Sequence, residues 1–342
     1  MSKKIIILAL AISLILTLVG CNKEKTSPQN TQKNEIVETS VPVVSETNTY
    51  LDNYINVNKR PFAVMIDNDD NNSRPQAGID EAYLVYEMPV EGGATRFMAL
   101  FRNVQTEKIG PVRSARHYFL DFAKENDAIY THFGWSPRAI TDISKLSVNN
   151  INGINTPDSD IFWRERKYQG DWHSAYTSAL KIEEFAVKKG YNTETENKNA
   201  IKYSSESITL PENNAATEIV LSYSGMYSTS YKYNKEAGIY EKQINNEPHK
   251  MQNGNVLSFK NIIVQFIADG PLGDGTARRE IITTGRGKGY YFTNGAYEEI
   301  IWEKASRTSP TIYKKADGSE LYINAGNTII NIISPYSDFI IR

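Results

Sequence analysis

Between Tyr83 and Arg116 the chain reads YLVYEMPVEGGATRFMALFRNVQTEKIGPVRSAR, which gathers Glu87, Glu91, Arg96, Arg113 and Arg116 around one Gly-Gly pair. Two carboxylates held on one surface can have their pKa values pushed apart, so one serves as an acid while the other stays charged. Arginines beside them suit planar, two-pronged binding of carboxylate or phosphate. Taking Gly92-Gly93 as a two-residue hairpin turn sets Glu91 opposite Ala94, Pro89 opposite Arg96 and Glu87 opposite Met98. Alternation along the strands then puts Glu87, Glu91 and Arg96 on one face, with Tyr86, Met88, Val90, Phe97, Ala99 and Phe101 on the other. Residues i and i+4 of a strand are about 13 Å apart at Cα. The acids therefore reach the about 6.5–9.5 Å separation of inverting glycoside cleavage only if their side chains lean together. A structural ion network closing the hairpin accounts for the same residues equally well.

Other candidates surround this stretch. Arg113 and Arg116 stand three apart at the start of an expected helix from about residue 114 to 124, where free backbone N–H groups favour anions. Neutralisation of Glu87, Glu91 or Asp121 explains them as simply. His132 and His173, two of four histidines, suit a general base, although a lone strand histidine is more often a hydrogen-bonded structural residue. Asp67 and Arg74 join the list as substrate-binding candidates, Asp67 because it stands near the C-terminal end of an apolar run. The ligand spacing of a zinc site is missing, as is a G-x-S-x-G elbow around Ser114, so the sequence predicts no metal and no cofactor. The Asx-rich run from Asp67 to Asn72 begins like a calcium loop. It lacks the sixth-position glycine and twelfth-position glutamate, and reads as a turn.

The elements that must hold these residues follow from pattern. Phe62 to Asp67 is a buried strand, Tyr83 to Met88 and Thr95 to Arg102 are the hairpin, and residues 127–133 form a further strand ending near His132. Ser136-Pro137 caps a helix, and a second helix from about Ser178 to Lys189 stops at Gly190. Residues 150–176 are irregular and carry Trp163, Arg164, Arg166, Trp172 and His173, while residues 191–215 read as a linker or long loop. From Glu218 onward short alternating strands recur without helices. Gly285, Gly287 and Gly289 sit among them as a glycine-kinked strand, since no helix follows to make a nucleotide loop. The fold class is α+β or α/β: an N-terminal α/β domain at 56–200 with a mixed sheet and charged hairpin, then a smaller all-β domain at 215–342.

The start of the chain sets the compartment. Lys3 and Lys4 precede an apolar run from Ile5 to Val19, about fifteen residues and short of the roughly twenty needed to span a bilayer. Leu18-Val19-Gly20-Cys21 fits a lipobox, and Cys21 is the one cysteine of 342 residues. The expected product is a chain with a signal peptide at 1–20, acylated at Cys21 and anchored by lipid on the extracytoplasmic face of the membrane. Residues 21–55 are polar enough to serve as a flexible tether reaching on the order of 100 Å. A net charge of -2 gives no electrostatic reason to expect a nucleic-acid partner.

PFAVMIDN, RPQAG, VYEMPVEGGATRF, IGPVRSAR and the His132 strand followed by GWSP occur in this order. In this the chain resembles the YerB-like lipoproteins of Gram-positive bacteria, the DUF3048 family, over essentially its whole mature length. The resemblance implies an α/β N-terminal part and a β-rich C-terminal part, and carries over no catalytic residue. One segment departs from the pattern: Asp171-Trp172-His173-Ser174-Ala175-Tyr176-Thr177 keeps the histidine and tyrosine but has serine where the family tends to have asparagine. The expected function is action on, or binding of, cell-wall glycan or peptide. In that reading Glu91 and Glu87 are the acid/base pair, Arg96, Arg113 and Arg116 hold anions, and His132 or His173 carries a second proton. A hydrolase or lyase is one outcome; a non-catalytic lipoprotein holding wall polymer or an envelope protein is the other.

Overall fold

The computed structural model describes residues 46–69, 71–195 and 200–342. Cys21, the expected leader and most of the expected tether lie outside the described residues, as does Asp70 of the Asx-rich run. Residues 46–55, expected as the end of the tether, form two helical turns, because Leu51 is buried and the Tyr50 hydroxyl donates to Tyr83 O at 3.3 Å. Among the described residues no helix is long and apolar enough to cross a membrane.

Among the described residues up to 152 there are five strands: β1 (Phe62–Asn68), β2 (Leu84–Pro89), β3 (Thr95–Phe101), β4 (Ile129–His132) and β5 (Asn150–Asn152). Their sequences are apolar on both faces, as strands covered on both sides must be. Among the described residues they belong to a ten-stranded mixed sheet. Its order is Ile312–Lys315, Ala296–Lys304, Gly285–Thr293, Asn261–Phe266, Thr328–Ile333, β2, β3, β1, β4, β5. Half of that sheet is thus supplied by the C-terminal part, which joins by parallel pairing of β2 with Thr328–Ile333. Among the described residues a second, six-stranded sheet from after residue 217 includes Glu218–Ser222, Ser228–Asn234, Ile239–Ile244 and Phe339–Ile341. The architecture is a mixed α/β N-terminal part with a large mixed sheet, followed by a smaller, mostly β C-terminal part.

Two apolar layers flank the large sheet. On one side Ala63, Met65, Tyr86, Met88, Met98 and Leu100 meet the helix Phe119–Glu125. On the other Val64, Ile66, Val85, Phe97 and Ala99 meet the helix Ala179–Lys188 and the second sheet through Ile219, Tyr231 and Tyr240. The helix Pro137–Lys145 begins at Ser136 as expected, with Ser136 Oγ accepting from Ala139 N at 3.3 Å.

Candidate functional site

Hairpin register decides which charges meet. Glu91–Gly93 makes a three-residue turn, with Gly92 and Gly93 at φ of 72° and 76° and Val90 N donating to Ala94 O at 2.9 Å. Relative to the two-residue turn, pairing shifts by one: Glu87 faces Phe97, Met88 faces Arg96 and Pro89 faces Thr95. Glu87 therefore shares its face with Thr95, Phe97 and Ala99, and Arg96 lies on the other. This corrects the expected one-faced cluster of Glu87, Glu91 and Arg96. Glu87 is wholly buried against the second sheet, accepting from Lys242 Nζ at 2.9 Å and from the hydroxyls of Tyr227 and Thr95 at 2.8 Å each. Lys242 is equally buried; its desolvation lowers its pKa, and Glu87 pulls it back up. Glu87 and Glu91 point into different layers, so the expected acid/base dyad does not assemble.

Arg96 instead faces Asp67 across β1 and β3, and this pair is the centre of a different cluster. Asp67 Oδ2 lies 2.6 Å from His173 Nδ1, which carries the proton because a carboxylate only accepts. Arg113 Nε stands 3.0 Å from the same oxygen, an ion-pair contact whose N–H is not aligned as a hydrogen bond. Burial alone would raise the Asp67 carboxyl; the His173 hydrogen bond and the charges of Arg96 and Arg113 outweigh it and hold the pKa below the ordinary value. Arg96 donates to Ser114 O at 2.9 Å, and burial followed by the nearby Arg116 brings its pKa down to about 10. Arg116 grips Glu91 with two hydrogen bonds of 2.6 and 2.9 Å. Burial would raise Glu91, but the bond and charge of Arg116 prevail and lower it.

The expected helix at 114–124 begins only at Phe119. Cis Gly110-Pro111 leads into an extended segment in which Val112 bridges to Ile66 and Ala115 to Trp135. Extended geometry sends Arg113 to Asp67 and Arg116 to Glu91 instead of converging them on a helix end. Within this cluster Asp67 Oδ1, Arg96 Nε and the Tyr130 hydroxyl are buried without a hydrogen-bond partner among the described residues. Three guanidinium groups here face two carboxylates, and 23% of the Arg113 side chain is exposed.

His132 stays outside this chemistry. Its Nδ1 contacts Gly134 O at 2.8 Å and its Nε2 contacts Asn150 Oδ1 at 3.2 Å, while burial lowers its pKa to about 4. It is a neutral, hydrogen-bonded histidine tying β4 to β5. Arg74 is spent on its own loop, donating to Asn68 Oδ1 at 3.1 Å and Asn71 Oδ1 at 3.0 Å. Missed from sequence is the contribution of the segment before His173. Arg164 stacks on Phe133 at 4.3 Å, and Arg113 and Arg166 both lie near enough to depress its pKa after burial has done so. Trp172, next in the chain to His173, is 68% exposed. The signal was present as WRERKYQGDWH, three cations (Arg164, Arg166 and Lys167) among aromatics in one loop.

The pattern of the N-terminal domain of the DUF3048 proteins of unknown function matches residues 47–192, and that of their C-terminal domain matches residues 219–330. A Bacillus subtilis protein named as a candidate lipoprotein, YerB, is 29% identical over 337 residues, covering 97% of this chain and 96% of its own. The crystal structure of YerB from Bacillus subtilis superposes with a TM-score of 0.72 at 28% identity, over 82% of this chain and 94% of that one.

Proposed function

The chain belongs to the DUF3048 family, and from that premise we propose that it is an envelope lipoprotein, acylated at Cys21, that binds an anionic wall polymer at the Arg113 cluster. One observation carries the reading: Arg96, Arg113 and Arg116 outnumber Asp67 and Glu91, and the most exposed of the three lies beside a loop bearing Arg164, Arg166 and the exposed Trp172. A guanidinium with free N–H groups takes a carboxylate or phosphate, and an exposed indole offers a flat apolar face to a sugar ring. Asp67 and Glu91 orient the arginines in this scheme and do not touch the polymer. Co-sedimentation of the lipid-free mature chain with purified wall sacculi tests it. Arg113→Gln and Trp172→Ala should each weaken binding several-fold, and stripping phosphate-bearing polymer from the sacculi should separate phosphate from carboxylate recognition. Undiminished binding by both variants would remove the proposal.

A catalytic reading survives in one form. The Asp67–His173 contact of 2.6 Å is the arrangement that orients an imidazole as a general base. Under it, peptidoglycan digested with the wild-type chain releases new reducing ends or amines and His173→Gln releases none. An absence of any product with the wild type leaves binding as the function.

A further inference from the structure

The strand Gly285–Thr293 pairs along its whole length with Ala296–Lys304, but with Asn261–Phe266 only from Gly289 onward. Its first four residues overhang the neighbouring strand, and a groove of about 580 Å³ opens beside the overhang. That volume falls within the roughly 300–1,000 Å³ of small-molecule sites. Phe266, Tyr290 and Phe339 form one wall, with ring centroids 4.9–6.1 Å apart, and Ile282, 51% exposed, forms the rim.

Alternating glycines shape the floor. A Cβ on Gly287 would lie 2.5 Å from Trp302 Nε1, so its absence lets the indole lie against the strand. The indole N–H is satisfied by Phe266 O at 3.0 Å. A Cβ on Gly285 would meet nothing within 4 Å, which leaves the groove open above the backbone there. Thr284 and Tyr290 bring the hydroxyls of the lining, the latter turned to Glu299, and no asparagine or glutamine lines the groove, so the convergent amides that a sugar needs are missing among the described residues.

Charge lies at the mouth. Lys288 lines the groove and has no ion-pair or hydrogen-bond partner among the described residues. Arg286 reaches Glu303 at 3.3 Å, but Lys314 holds the same carboxylate at 2.6 Å. Glu299 faces the Tyr290 hydroxyl at 3.3 Å. Three cations thus stand against two carboxylates, with the unpaired one at the groove.

We infer that this groove binds a single-chain lipid anion, its hydrocarbon tail against Phe266, Ile282, Tyr290 and Phe339 and its carboxylate or phosphate head at Lys288 and Arg286. The site is separate from the Arg113 cluster and does not depend on polymer binding there. Calorimetric titration of the mature chain with octanoate, decanoate and dodecanoate below their aggregation limits is the test. Affinity should rise about threefold to fourfold per methylene until the groove is filled. Lys288→Gln should weaken dodecanoate about twofold to fivefold. Dodecanol should bind the wild type no better than dodecanoate binds Lys288→Gln. Ile282→Trp, at an exposed rim position, should block binding with its thermal midpoint preserved, and Arg113→Gln should leave binding intact. Dodecyl phosphate in place of dodecanoate separates the two head groups. No saturable heat with any chain length, equal affinity for dodecanol and dodecanoate, or binding untouched by both groove variants would each overturn the assignment.

Discussion

His132 illustrates how a single side chain sets pH behaviour. Its folded pKa of about 4 against an ordinary 6.5 means that between these values the unfolded chain binds a proton the folded one refuses. Stability must then fall as pH drops from about 6.5 toward 4, by an amount on the order of 3 kcal/mol at most for this group. His249, driven the same way by burial and by Lys242 and Arg74, adds to that slope. Asp67 acts lower: its depressed carboxyl stabilises above the ordinary 3.8, and that contribution disappears as pH falls through the folded value. Urea unfolding from pH 7 to pH 4.5 should show the first loss, and His132→Asn should flatten part of it. An unchanged slope in the variant would show that His132 does not titrate differently on folding. Glu87 and Lys242 make the complementary case. Removing one member strands a buried charge and should cost about 3–5 kcal/mol, whereas Glu87→Gln with Lys242→Met should recover most of the loss. A double mutant as unstable as the sum of the singles would refute the pairing as the reason for Glu87's burial.

At the scale of elements, the turn determines everything the hairpin presents. Gly93 combines a φ of 76° with a Cβ position 2.8 Å from Ser224 Oγ, whose hydroxyl donates to Gly93 O at 2.7 Å. Gly92, at φ 72°, has open space around it. Gly92→Ala should cost about 1–2 kcal/mol from backbone strain alone. Gly93→Ala should cost more, because the turn must also move away from Ser224; equal midpoints for the two variants in urea would contradict this. Most elements were legible from local pattern: the strands at 62–68 and 129–132, the Ser136-Pro137 helix start and the helix ending before Gly190 all stand as their residues dictate. Register was not, because Gly-Gly serves a two- or three-residue turn alike and alternation on a sheet apolar on both sides does not choose between them. Nor was Glu87's partner, which lies 155 residues away. Asp67, His173, Arg96 and Arg113 were each visible as chemistry-bearing residues. Their meeting depends on a long loop returning from 173 and on an extended segment that reads like the first turn of a helix.

For the molecule as a whole, the continuous sheet joins what the sequence divides into an α/β part and a β part. β2 is buried on both edges, between β3 and Thr328–Ile333, with Leu84 to Glu87 in register with Thr328 to Asn331. Both apolar layers draw on residues from before 150 and after 260. The Glu87–Lys242 pair and the Lys304 contact with Glu125 are likewise ion pairs between the two parts, both wholly desolvated. A fragment of residues 46–215 would therefore expose an unpaired inner strand edge, one uncovered apolar face and two carboxylates stripped of their cations. Each of these defects is a route to aggregation or to loss of fixed packing. The full chain should unfold in urea as one transition, with tryptophan fluorescence and far-ultraviolet circular dichroism coinciding. The fragment made alone should be insoluble or lack near-ultraviolet dichroism, and co-expression with residues 216–342 should restore it. A soluble, cooperatively folded 46–215 fragment would mean that the shared sheet is a docking surface between two self-sufficient parts. In that event Arg113 variants in the fragment would report on polymer binding without the lipid groove attached.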